Sequence, residues 1–274
     1  MTTFKSILVH LDSSPRCTTR LRLAHQLAEQ HDGTVTALFA AIPVDLQFPF
    51  GFGPGMEGSA ALSDIEATRR DRAKNLFNEA VASGLSRLRW AELTREQALH
   101  TFAQHALYAD LMVLGQHEPH PAQAQDVPAD FVQSMVLDSG KPALVMPFIG
   151  KPSLPFRHVL VAWKESREST RALAAALPLL QSADRVHVAC WGKPGAGTAP
   201  VLDYLQQHGV AGQLHHYGQA TPEIGELLLS LASDLDAGLL VMGCYGHSRA
   251  REWALGGVSR TVLASMTLPV LMSH

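Results

Sequence analysis

The densest chemical signal in the chain is a glycine-rich segment, Met242-Gly-Cys-Tyr-Gly-His-Ser-Arg-Ala-Arg-Glu-Trp-Ala-Leu-Gly-Gly-Val-Ser259. Gly243 and Gly246 follow an apolar run, and Gly256 and Gly257 precede another. Glycines after a strand let the backbone turn tightly and approach a ligand with no Cβ in the way. A helix opened by Gly256 and Gly257 turns its free N–H groups and the positive end of its dipole toward the same crevice. That is an anion site, most naturally for phosphate. Ser259 adds a hydroxyl, and Arg249 or Arg251 adds charge. The spacing is neither a Walker A loop nor the dinucleotide Gly-x-Gly-x-x-Gly. Tight turns without a ligand are the other reading of such glycines, and both stay open at this point.

Other chemistry is weaker. Histidines number 14, which raises the question of a metal. His117, Glu118 and His120 share one irregular loop and could gather around zinc. His215 and His216 are adjacent on a strand, so they point to opposite faces and chelate poorly. His247 beside Gly246 could act as an acid or base, or simply position a phosphate. Cys190 and Cys244 map to a pocket rim and would be redox-sensitive there, or inert if buried. With Cys17 they make three cysteines, far apart and odd in number. That excludes a disulfide framework and a Cys-rich metal site. No nucleophile, base and orienting group come together, and Ser259 has no general base near it in sequence. The chemistry expected is therefore binding without committed turnover. At most it is a slow ATPase using Lys164 or His247, and no carboxylate is clearly placed to hold Mg²⁺.

What must position the glycines is a repeated unit. Phe4-Lys-Ser-Ile-Leu-Val-His-Leu-Asp12 aligns with Phe156-Arg-His-Val-Leu-Val-Ala-Trp-Lys164. Ala109-Asp-Leu-Met-Val-Leu-Gly115 aligns with Ala237-Gly-Leu-Leu-Val-Met-Gly243, and Lys141–Met146 with Leu268–Met272. A period of about 150 residues is too long for a solenoid and marks a duplicated domain. The expected domains are residues 1–149 and 156–274, joined by a Gly/Pro-rich linker near Ile149–Pro155. In the second copy, strands are expected at His158–Trp163, Arg185–Trp191, Gln213–Tyr217, Leu239–Met242 and Val270–Met272. Helices are expected at Glu168–Leu180 with Ser166 as N-cap, Pro200–His208, Pro222–Ser233 with Thr221 as N-cap, and Gly256–Ser265. Alternation of this kind implies an α/β fold: two tandem doubly wound domains, each a five-stranded parallel sheet with helices on both faces. Ligands of such domains bind beyond the carboxyl ends of the strands.

The first copy is longer, mostly in an insertion at residues 44–62 that includes Phe48-Pro-Phe-Gly-Phe-Gly-Pro-Gly55. Its glycines and prolines argue for an irregular loop, packed on its own domain or serving as an apolar flap. The first copy also lacks the glycine loop. Gly115 remains, but Glu118 stands at the second glycine and would repel phosphate, while Pro119 and Pro121 remove donors. Asp12-Ser-Ser-Pro15 reads as a helix N-cap with proline near the first turn.

Composition bounds the rest. The chain has 274 residues, 46% hydrophobic and 17% charged, with net charge −3. A core is available, and no basic run suggests nucleic acid. No apolar run approaches the ~20 residues of a membrane helix, and the N-terminal residues lack a signal-peptide core. The expectation is a cytoplasmic protein without nucleic-acid or membrane partners.

The pattern Gly-x2-Gly-x9-Gly, followed by a small residue and Val-Ser, resembles the nucleotide-binding signature of universal stress proteins. The opening Phe156–Trp163 and the closing Leu268–Met272 are also similar to that family's first and last strands. The resemblance covers almost the whole chain as two tandem copies, with the insertion outside it. It implies a stress-response regulator that binds ATP or another adenine nucleotide, such as AMP, with or without Mg. It implies a nucleoside lined by Ala162 and Cys190, phosphates on the motif of Gly243, Gly246, Gly256, Gly257, Val258 and Ser259, and Met242 within the same site. It further implies an intrachain pseudo-dimer of the two domains and the capacity to form a homodimer. Some members bind no nucleotide, so an interaction scaffold is the alternative. Lys164 departs from the family's acidic or amide residue. It cannot accept a ribose hydroxyl but could reach a phosphate, and Glu165 could substitute for the missing acid. Asp12 holds the acidic position in the first copy.

Overall fold

The computed structural model describes residues 3–41, 56–93, 98–118, 126–150, 152, 154–192, 198–218, 223–244 and 257–274. Their order is β1 (Ser6–Leu11), α1 (Cys17–Gln30), β2 (Thr34–Phe39), α2 (Met56–Ala82), β3 (Leu88–Glu92), α3 (Ala98–Ala106), β4 (Leu111–Gly115), α4 (Phe131–Ser139) and β5 (Ala143–Met146). The second repeat follows with β6 (His158–Ala162), α5 (Arg167–Leu180), β7 (Arg185–Trp191), α6 (Thr198–Gln207), β8 (Gly212–Tyr217), α7 (Ile224–Asp234), β9 (Leu239–Gly243), α8 (Val258–Ser265) and β10 (Val270–Ser273). The alternation of strand and helix is the α/β architecture expected.

Packing divides the chain into two compact units, Phe4–Ser139 and Gly140–His274. In the first, strands run β3-β2-β1-β4, and every pair is parallel. In the second they run β5-β10-β9-β6-β7-β8. There the pairs β10–β9, β9–β6, β6–β7 and β7–β8 are parallel, while β5 meets β10 antiparallel. Parallel strands buried on both faces require continuous apolar runs. Ile7–Val9, Leu111–Leu114, Val159–Val161 and Leu239–Met242 supply them, each residue no more than 4% exposed.

β5 is the fifth strand of the first repeat. By packing it falls within the second unit, Gly140–His274. The physical reason is the edge that a last strand leaves open. All four residues of β5 are buried, and Leu144 stands opposite Leu271, with Val145 opposite Val270.

Two expectations change. Met56–Leu62, placed within an irregular insertion, begins the long helix α2 once Pro54-Gly55 is passed. The phenylalanine-rich part of the insertion lies outside the described residues, as do Thr221 and Pro222 at the start of α7. Asp12 does not cap α1: Arg16 holds the N-cap position without a side-chain bond, and Asp12 is engaged elsewhere, as described below. Ser166 does cap α5, accepting the N–H of Ser169 at 3.2 Å.

The β5–β10 ladder predicts where damage appears. Leu144→Ala should cost about 2–5 kcal/mol of stability. Amide hydrogen exchange should then quicken in β10 and β9 rather than in β2 and β3. Faster exchange confined to the first unit would contradict the assignment.

Candidate functional site

In the second unit the carboxyl ends of β6 and β9 lie side by side, Ala162 registered against Met242 and against Ala189 of β7. Ala162 and Gly243 are half-buried, and Met242 is buried. Gly243 has a steric reason to be glycine. A Cβ there would collide with the amide nitrogen of Ser169 and lie 2.9 Å from the Cβ of Glu168. The first turn of α5 therefore rests directly on the strand end. Glu168 sits in that turn, an acidic group beside Gly243 that spacing alone did not single out. Its own backbone N–H does most to hold its carboxyl below the ordinary range; burial opposes this, and Ser166, His274 and Arg171 reinforce it.

The backbone leaving Gly243 is anchored on two sides. The Cys244 N–H donates to Ser273 O at 3.0 Å, and its carbonyl accepts from Nδ1 of His274 at 3.1 Å. Arg171 in turn donates to the His274 carbonyl at 2.8 Å. Gly246, His247, Arg249, Arg251 and Gly256 lie outside the described residues. The chain is described again at Gly257, the N-cap of α8 in extended backbone, and the helix begins at Val258. The first turn of α8 contains no acidic residue, and its N-cap, Gly257, has no side chain. Ser259 is buried, and Lys164 and Glu165 are exposed. Cys190 follows Ala189, the registered partner of Ala162, so its side chain faces the opposite side of the sheet. It is buried there, which raises its thiol pKa.

The equivalent strand ends of the first unit are filled. His10, aligned with Ala162, is 1% exposed. Its ring packs on Phe102 and Phe131 at centroid distances of 5.6 and 4.4 Å, and its Nε2 donates to Ala40 O at 2.8 Å. Burial, opposed by the Asp12 charge and assisted by Arg20, pushes the imidazole down to about 4. Beside it, Arg20 donates to Asp12 Oδ1 at 2.7 Å and approaches Cys17 Sγ at 2.8 Å. Burial opposes the charge of Asp12, but Arg20 and His10 outweigh it and hold the carboxyl below its ordinary range. Burial, tempered by Arg20, pushes the Cys17 thiol up to about 12, so it is not a reactive cysteine. Gly115, aligned with Gly243, is the floor on which Arg20 lies; a Cβ there would collide with the guanidinium.

The metal hypotheses find no support in geometry. His120 lies outside the described residues, and among those described no three His, Cys, Asp or Glu groups gather as metal ligands. The close imidazole pair is instead His187 and His215, Nδ1 to Nε2 at 2.9 Å across β7 and β8. Only strand register could have revealed it.

Residues 155–274 match the model of the universal stress protein family. No curated protein matches the chain significantly. Among solved structures, a universal stress protein from Archaeoglobus fulgidus DSM 4304 is 16% identical, covering 97% of this chain and 94% of that one, with a TM-score of 0.68. A protein of unknown function from Pseudomonas aeruginosa PAO1 is 17% identical over 98% of this chain and 92% of that one, with a TM-score of 0.58. A half-length match, a universal stress protein in complex with cAMP, covers 43% of this chain and 97% of that one at 22% identity and a TM-score of 0.35. At these identities the full-length likenesses establish the fold. No helix among the described residues is long and apolar enough to cross a membrane.

His10 generates a pH prediction. A histidine whose folded value is depressed contributes stability above its unfolded value, lost as pH falls through the folded one. The window runs from 6.5 down to about 4, and the loss is on the order of 3 kcal/mol. His10→Gln, which keeps a donor for Ala40 O but does not titrate, should flatten that limb of a denaturant-versus-pH series. An unchanged limb would count against the buried neutral imidazole.

Proposed function

We propose, for a chain whose residues 155–274 belong to the universal stress protein family, that the second unit binds an adenine nucleotide at the ends of β6 and β9. The first unit binds none. The observation that carries this reading is the contrast at one repeated position. Ala162 is small and half-buried at the end of β6, whereas His10 fills the same position in the first repeat and is buried among aromatic rings. Ala162 and Met242 form the nucleoside side, with Cys190 behind the sheet. Gly243, Gly246, Gly256, Gly257, Val258 and Ser259 receive the phosphates.

The residues present fit an anion at α8. An N-terminus opened by Gly257, with no acidic residue in its first turn, directs its N–H groups and dipole toward the strand ends. Lys164, exposed after β6, supplies a point charge to the phosphates, and Glu168 is the carboxylate beside Gly243 that would meet an accompanying Mg²⁺. The protein acts as a cytoplasmic, nucleotide-binding stress regulator rather than a committed enzyme. Its repeats pair as an intrachain pseudo-dimer.

Titration calorimetry tests the site. Gly246→Glu puts a carboxylate where phosphate goes and should abolish ATP binding; unaltered binding would remove the site from the account. Lys164→Asp should weaken ATP while leaving adenosine equal or tighter, and added salt should weaken ATP in the parent protein. Equal parent affinities for ATP, AMP and adenosine would discard the phosphate role of Lys164.

A further inference from the structure

The nucleotide reading leaves unused a buried ionic set at the turn between β1 and α1. Asp126 reaches this turn from the segment that replaces the glycine loop in the first repeat. Its Oδ2 accepts the backbone N–H of Ser13 at 2.5 Å, a contact between residues 113 apart in sequence. Its Oδ1 lies 3.1 Å from Nε of Arg69 on α2 and has no hydrogen bond of its own. Asp126 is 3% exposed and Arg69 7%.

This carboxylate is held the way proteins hold a ligand oxyanion. One oxygen takes a backbone N–H just ahead of a helix N-terminus, and the other faces a guanidinium. The N-cap residue of α1, Arg16, makes no side-chain cap bond, the first turn has no acidic residue, and the Arg16 N–H donates to Ser14 Oγ at 3.2 Å. The second carboxylate of the crevice, Asp12, is already occupied by Arg20, Cys17 and the Ser14 N–H. Asp126 is held at some cost. Burial and the charge of Asp12 raise its pKa, while Ser13 and Arg69 lower it. A buried carboxylate with one oxygen left without a hydrogen bond is the position at which a free anion can compete.

We propose that the β1–α1 turn of the first unit is a carboxylate-binding site, built from the Ser13 N–H and Arg69, whose occupant is Asp126 of the same chain. The unit is thereby filled from within, and a small free carboxylate takes the site once that side chain is removed. The inference stands apart from nucleotide binding in the second unit.

The test uses the full chain with formate as probe and chloride at matched ionic strength as control. In Asp126→Gly, formate should raise the melting temperature saturably and give saturation-transfer signals from its proton to the protein. The parent protein should show neither response beyond chloride, and Asp126→Gly combined with Arg69→Gln should lose both. Asp126→Asn, which keeps an acceptor for Ser13 in place, should remain indifferent to formate. If Asp126→Gly does not fold in chloride, its refolding yield should rise with formate. A formate response equal in parent and Asp126→Gly, one that survives Arg69→Gln, or a refolding yield indifferent to formate would overturn the proposal. Formate binding at the second unit would appear equally in all variants and so cannot imitate the expected pattern.

Discussion

The last residue of the fourth strand in each repeat has no room for a side chain. At Gly243 the space is taken by the backbone of α5 around Glu168 and Ser169, and at Gly115 by the guanidinium of Arg20. This close approach sets the distance between the first helix of each repeat and the strand ends, and hence the floor of each crevice. It also shows that one repeated glycine serves two purposes. In the second unit it lets a helix N-terminus rest on the sheet beside Ala162 at the end of β6. In the first it lets a charged side chain lie flat across the place where a ligand would enter.

The first crevice depends on charge balance. Two guanidinium groups, Arg20 and Arg69, face two carboxylates, Asp12 and Asp126. Burying such a set is tolerable only when each charge finds a partner. The two carboxylates titrate in opposite senses. Asp12 is held below its ordinary range, so its contribution is complete above that range and lost as pH falls through its depressed value. Asp126 is raised, so its contribution is complete in acid and lost as pH rises through its elevated value. Acid therefore loosens the Asp12–Arg20 pair while easing the burial of Asp126.

Much of the architecture is legible in the sequence because it is local. β7 is bounded as its apolar run is, and Ser166 announces α5 three residues before the N–H that it accepts. The repeat anchors are apolar strands that any reading of periodicity finds. What stayed hidden is non-local. Asp12 looks like a cap because Asp-Ser-Ser-Pro is cap chemistry, yet Arg20 is one helical turn into α1 and claims it. Asp126 meets Ser13 across 113 positions, and no spacing rule connects them. The degenerate loop therefore reads as a loss of donors, whereas its last residue supplies the anion. Glu168 carries no spacing signal, because Lys164 and Glu165 stand directly after the first strand while Gly243 packs against the next turn. The helical start at Met56 was overlooked for a simpler reason: the glycines and prolines ahead of it end at Gly55.

The account turns on asymmetry between two copies of one unit, one open and one closed by its own side chains. Its most direct test is the stoichiometry of adenine nucleotide on the intact chain, read by native mass spectrometry during titration with ATP. The account predicts saturation at one nucleotide per chain, with the second unit as its seat. Two nucleotides per chain would show that His10, Arg20 and Asp126 do not close the first crevice, and none would show that the second is not a nucleotide site.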